Sequence, residues 1–294
     1  MSFPRISTLV SPKWLFDALQ NKMPRLRIVD TSWYLPNDNR NTRQEFEQAH
    51  IPHAQYFSIE ECCDKSSPYD HMLPSPEQFQ CAVRSIGINK DSHVVLYDSS
   101  NFAMFAAQRI WWMFRVFGHQ QLSILEGGLK KWRDAGYEVT DKIDSVAEGS
   151  FEASYNGGLV KTFEDIVNNI EQKEFQLVDA RSPKRYNGTA PEPRKDILPG
   201  HIPQSANLFF MEMQDKEAQK MRSPEEIRKL FQQAKINLDK PITASCGSGV
   251  SACLIALGAH LCGKDDVAIY DGSWMEYYQR APPELKESVP EKAP

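Results

Sequence analysis

Short apolar runs alternate along the chain with longer amphipathic stretches. Val94-Val95-Leu96-Tyr97 and Pro241-Ile242-Thr243-Ala244 predict buried strands. Each precedes a helical stretch, Ala103 to Phe117 in one case and Val250 to Leu261 in the other. Helices are also predicted over Phe163 to Glu171 and Pro224 to Gln233, the second with Ser223 as N-cap and Pro224 in its first turn. Strand–helix alternation of this kind implies an α/β fold, with mainly parallel sheets flanked by helices.

The pattern occurs twice. Leu26-Arg27-Ile28-Val29-Asp30 matches Phe175-Gln176-Leu177-Val178-Asp179, and His50-Ile51-Pro52 matches His201-Ile202-Pro203. Ser75-Pro76-Glu77 matches Ser223-Pro224-Glu225, and Leu125-Glu126-Gly127-Gly128 matches Tyr270-Asp271-Gly272-Ser273. The offset stays between 145 (Gly127 to Gly272) and 151 (His50 to His201). Collinear matches at so constant an offset predict two copies of one domain, at 7–139 and 159–285, joined by a linker at 140–158 that is poor in large apolar residues.

Composition narrows the function. The 294 residues are 41% hydrophobic and 25% charged, enough apolar material for two cores in a soluble protein. A net charge of -5 with no basic stripe argues against a nucleic-acid partner. No apolar run reaches the length of a membrane span; Ile110-Trp111-Trp112-Met113-Phe114 is bounded by Arg109 and Arg115 and reads as a buried helix. The N-terminus has no signal-like apolar stretch, so a cytosolic location is expected, with a mitochondrial one also open. Six cysteines without metal-ligand spacing fit a reducing compartment, and five of them read as buried or incidental thiols.

The sixth is different. Cys246 heads the loop Cys246-Gly247-Ser248-Gly249-Val250-Ser251, where a strand turns into a helix. Ligands of α/β sheets gather at such strand ends. The two glycines let the backbone curl so that amides point inward, and the helix N-terminus adds positive potential. Both favour a thiolate, and the same cradle would hold a persulfide anion. The bland alternative is a glycine turn beside a buried thiol. A cysteine phosphatase would need an arginine six positions after the nucleophile, and that position is Ala252. In the first copy the aligned position is Asp98, which cannot carry sulfur, so that copy is expected to be catalytically silent.

These segments, with Gly200-His201-Ile202-Pro203 and Tyr270-Asp271-Gly272-Ser273-Trp274, resemble the tandem-rhodanese sulfurtransferases from about Ser7 to Pro283. The resemblance implies two tandem rhodanese-like domains and a persulfide formed on Cys246. It is similar, in Cys-Gly-Ser-Gly-Val-Ser, to members that take sulfur from 3-mercaptopyruvate; members that use thiosulfate usually carry Arg-Lys where this chain has Gly247 and Ser248. By the same resemblance Arg185 and Arg194 hold the donor's carboxylate, and Gly247, Gly249, Val250 and Ser251 shape the donor site. A proton relay of Ser248, His71 and Glu60 is implied, with glutamate where the family often has aspartate and with Glu61 and Asp64 as neighbouring alternatives. Arg181 reads instead as a solvated loop residue or an ion-pair partner of Asp179 or another carboxylate. No metal or organic cofactor is implied. The expected acceptor is a small thiol, cyanide or a thioredoxin-type dithiol, and the expected state a monomer. The rival readings are a thiosulfate sulfurtransferase and a persulfide or redox-sensing module without turnover.

Overall fold

The computed structural model describes residues 6–35, 38–100, 102 and 104–290. Two compact units emerge. One comprises Met1–Cys63, Pro74–Tyr155 and Asp215–Met221; the other comprises Asp64–Leu73, Asn156–Gln214 and Arg222–Pro294.

Each unit holds a five-stranded sheet in which every recorded ladder is parallel. In the first unit the strands lie in the order Leu9–Val10, Leu122–Leu125, His93–Tyr97, Leu26–Asp30, Ala54–Tyr56. In the second the order is Val160–Lys161, Ala268–Tyr270, Ile242–Ser245, Gln176–Asp179, Ala206–Asn207. The same order in both units confirms the repeat. The two predicted strands are the central ones, the second starting at Ile242 rather than Pro241, and every residue of His93–Tyr97 and Ile242–Ser245 is buried, as parallel strands covered on both faces must be.

The matched Ser-Pro-Glu segments do the same job twice. Ser75 and Ser223 each cap a ten-residue helix, Pro76–Ser85 and Pro224–Gln233, through a full capping box with Gln78 and Glu226. On one face of the first sheet, Val95, Tyr97 and Leu125 pack with Leu15, Phe46 and Trp132. Leu177, Ile202, Tyr270, Trp274 and Tyr277 form the counterpart core in the second unit. Trp132 and Trp274 are fully buried, and truncating either costs roughly 3–5 kcal/mol.

The helix after the first central strand runs over Ala107–Val116 and is buried along its whole length. Its arginines stack on neighbouring indoles, Arg109 over Trp112 and Arg115 over Trp111. It starts later than the predicted Ala103, which itself lies outside the described residues. The amides of Phe105, Ala106 and Ala107 are spent on the carboxylate of Asp98. Its counterpart spans Ala252–Leu261, beginning after the loop rather than at Val250.

The two compact units are not simple halves of the chain. Residues 140–155 belong to the first unit and are tied to it rather than spanning freely. Thr140 bridges His50, Gln55 donates to Asp144 O, and Phe151 is buried with its amide on Ile88 O. Residues 64–73, which precede the expected start of the second domain, belong to the second unit, because their polar groups pair there. None of the helices among the described residues is long and apolar enough to cross a membrane.

Candidate active site

Ladder register places Asp98 and Cys246 at one structural position. Asp30 pairs with Tyr97, and Asp179 pairs with Ser245, so the next residue in each chain leaves its sheet at the same point. The carbonyl of Asp98 accepts from Leu129 N and that of Cys246 from Trp274 N.

The first copy shows what this position binds. Asp98 Oδ1 accepts from Ser100 N at 3.1 Å, and Oδ2 accepts from the amides of Phe105, Ala106 and Ala107 at 2.8, 2.9 and 3.1 Å. Four amides therefore surround one anion. In the second copy the corresponding amides, two residues after the key position and at the helix start, are those of Ser248, Val250, Ser251 and Ala252. They have no hydrogen-bond partner among the described residues. Cys246 stands where the carboxylate would be, 2% exposed, with the N-terminus of Ala252–Leu261 behind it. Such a nest of amides is a ready-made site for an anion. Gly249, at φ 76, supplies the left-handed turn that closes the loop.

Ser273 is a site residue that the sequence reading missed. Its hydroxyl accepts from Cys246 N at 3.1 Å and donates to Tyr270 O at 2.9 Å. It adopts φ 51, and its counterpart Gly128 adopts φ 53. The first copy requires glycine there, since a Cβ on Gly128 would meet Asp98 O at 2.0 Å. The signal was the difference between Gly127-Gly128 and Gly272-Ser273 in otherwise matching segments.

His71 and Ser248 come together as expected, with Nδ1 3.3 Å from Oγ and both side chains buried. His71 is held at φ 64, a conformation unusual for a residue with a Cβ, and Leu73 N anchors the same segment on Asp271 Oδ2 at 2.7 Å. Glu60 belongs to the first unit, where its Oε1 accepts from Trp33 Nε1 at 3.1 Å. Its alternatives are otherwise engaged: Glu61 pairs with Arg43, and Asp64 accepts from the amide and hydroxyl of Ser66.

Arg185 lies against the loop, its Nη2 3.1 Å from where a Cβ on Gly247 would be. Its guanidinium grips Glu192 with two parallel bonds, Nε to Oε1 at 3.0 Å and Nη2 to Oε2. Glu192 also accepts from Arg181 Nη1 at 2.8 Å. Burial alone would raise the Glu192 carboxyl above its usual range, but the Arg185 bonds and the charges of both arginines outweigh it and hold it below. Arg181 is 1% exposed and also bonds Asp179 and Gly200 O. Of the two bland readings of Arg181, the ion pair is correct and the solvated residue is not. Arg194 pairs with Asp70, Nε to Oδ2 at 2.9 Å and Nη2 to the same oxygen. Glu192 and Asp70 were also missed: the first lay in the quoted Pro191-Glu192-Pro193-Arg194, and the second next to His71.

Comparison with known proteins bears on the family of the chain. Residues 11–135 and 162–280 each match the rhodanese-like domain. The chain is 47% identical over 289 residues to 3-mercaptopyruvate sulfurtransferase of Homo sapiens, covering 97% of this chain and 96% of the relative. It is 49% identical over 279 residues to thiosulfate sulfurtransferase of Bos taurus, covering 94% and 93%. Among solved structures, SseA from Escherichia coli, described as a 3-mercaptopyruvate sulfotransferase, superposes with a TM-score of 0.82 at 34% identity, covering 92% of this chain and 99% of that one. Two matched domains, one order of strands in both and relatives spanning nearly the whole length lead to one assignment: the chain belongs to the rhodanese family, as a tandem of two rhodanese-like domains.

Proposed function

We propose that this sulfur-transferring enzyme takes sulfur from 3-mercaptopyruvate and passes it on from a persulfide on Cys246. Overall identity does not separate the two donors, since relatives named for either are equally similar. The loop carries the reading. Gly247 and Ser248 stand where thiosulfate-using members are expected to have Arg-Lys, and Gly247 leaves room for Arg185 beside the nucleophile.

Arg185 and Arg194 dock the donor by its carboxylate and carbonyl, which a planar guanidinium fork matches. The Cys246 thiolate attacks the donor sulfur, the carbon–sulfur bond breaks, and pyruvate departs as its enolate. The open amides of Ser248, Val250, Ser251 and Ala252 hold the charge that remains on sulfur. Ser248 and His71 pass the proton of the donor thiol to the enolate carbon. A small thiol, cyanide or a thioredoxin-type dithiol in the cytosol then removes the outer sulfur; with a dithiol, hydrogen sulfide leaves as the disulfide closes.

Mass spectrometry of protein incubated with 3-mercaptopyruvate should show one added sulfur on Cys246, and Cys246→Ser should abolish both the adduct and turnover. Unmodified Cys246 during continued turnover would overturn the covalent mechanism. Initial rates with the two donors and one acceptor test the donor assignment; faster use of thiosulfate would reverse it.

A further inference from the structure

We propose that Asp70 is a built-in competitor for Arg194, a carboxylate of this chain that fills the donor-carboxylate fork until the donor displaces it. The inference rests on the proposed role of Arg194 in donor binding.

The two site arginines hold their acidic partners differently. Glu192 uses both oxygens, is shared by Arg181 and Arg185, and its side chain is only 4% exposed. Removing it would leave Arg185 without its ionic partner and Arg181 with Asp179 alone to balance its buried charge. It is a fixture, and Arg185 meets the donor with Glu192 still attached. Asp70 has a side chain 53% exposed and gives Arg194 a single oxygen, which takes both Nε and Nη2. Arg194 is the one cation it pairs with among the described residues. Water can take over that carboxylate at little cost.

A 2-oxo acid carboxylate seeks the same N–H groups with the same charge. Nε and Nη2 cannot donate in one geometry to both, so donor binding at Arg194 is an exchange of one carboxylate for another. The backbone around Asp70 is held independently. Tyr69 packs on the core of the second unit, His71 meets Ser248, and Leu73 N is anchored on Asp271. The exchange is therefore a rotation of the Asp70 side chain that leaves His71 in place. Asp70 keeps the fork extended and neutralised between turnovers, and it weakens the capture of every donor by the strength of its own pair.

The test is steady-state kinetics of Asp70→Asn with 3-mercaptopyruvate, alongside pyruvate binding by calorimetry in the Cys246→Ser background. kcat/KM should rise about two- to fivefold, the range spanned by loss of a partly exposed ion pair. The dissociation constant of pyruvate should fall by the same factor in Cys246→Ser/Asp70→Asn, and Asp70→Ser should behave alike. In an Arg194→Ala background, which weakens donor use by itself, the gain from Asp70→Asn should vanish. An unchanged or lower kcat/KM in Asp70→Asn, with Arg194→Ala still impaired, overturns the competitor and spares the docking role of Arg194. Normal donor use by Arg194→Ala overturns the docking role, and the competitor falls with it.

Discussion

Glu192→Gln is the most informative single change. Glutamine keeps the shape of the side chain and removes its charge. Three bonds from Arg181 and Arg185 converge on the carboxylate. The amide offers one acceptor oxygen, and its NH2 must face a guanidinium that can only donate. Arg181 keeps Asp179 and Gly200 O, so the fold survives, while Arg185 loses its one ionic partner among the described residues. Charge-assisted bonds contribute about 1 kcal/mol more each than neutral ones, so the loss across three bonds is about 2–4 kcal/mol. The sign with pH is fixed by the depressed Glu192 carboxyl. Between its folded value and the ordinary carboxylate range near 4.5 the unfolded chain binds more protons, so this stabilisation is present above that range and is lost as pH falls through the folded value. Urea unfolding of both proteins at pH 7.5, and at steps below pH 4.5, should therefore show a gap that narrows on acidification. At neutral pH the KM for 3-mercaptopyruvate should also rise, since Arg185 is no longer held in one orientation. A variant as stable as its parent at pH 7.5, or a gap that widens in acid, would refute the idea that the charge of Glu192 holds this cluster.

Other outcomes can be measured in the same way. Asp30 is the first-copy counterpart of Asp179 but lacks an arginine; burial, partly offset by hydrogen bonds from Ser32, raises its carboxyl to about 6. Because that value is raised, the folded state is favoured by protonation and loses stability as pH climbs from about 4 to 6. Asp30→Asn should therefore gain up to ~3 kcal/mol at pH 7.5 and almost nothing at pH 4 by urea unfolding, and a destabilised variant at pH 7.5 would contradict this. Gly247→Ala should raise the KM for 3-mercaptopyruvate by roughly tenfold through pressure on Arg185, with the unfolding midpoint little changed; an unaltered KM would show that Arg185 has room to yield. Ser273→Ala leaves the Cys246 amide without its acceptor in a buried place and should cost about 1–3 kcal/mol. Ser273→Gly should recover about 1 kcal/mol of that by relieving the left-handed backbone, and the reverse ranking would count against the strain argument.

Features written as patterns were legible in the sequence. The central strands, the capped Ser-Pro-Glu helices and the pairing of Asp98 with Cys246 all follow from local periodicity and from alignment of the two copies. Polar partnerships were harder to read, because a carboxylate carries no periodic mark of the cation it will meet. Asp70 and Arg194 are 124 residues apart, and Glu192 looks like any acidic loop residue until Arg181 is seen to be buried against it. The late start of the helix at Ala107 follows from the same difficulty: its preceding amides are drawn to Asp98, a preference that helix propensity does not encode. Residues 140–155 lack a continuous apolar pattern yet are held by Phe151 and by backbone bonds, so low apolar content was a poor guide to freedom.

The amides that close on Asp98 bear on how the two repeats endure the catalytic cycle. The first repeat carries its own anion as part of the chain, so its loop is complete in plain buffer. The loop at Cys246 is completed only by what is bound to it. Mass action then makes the second repeat's resistance to unfolding depend on supply: an anionic ligand at a hundred times its dissociation constant adds about 2.7 kcal/mol. A charged sulfur on Cys246 acts in the same direction. The second repeat is thus sturdiest while loaded and weakest after delivery, whereas the first is indifferent to both.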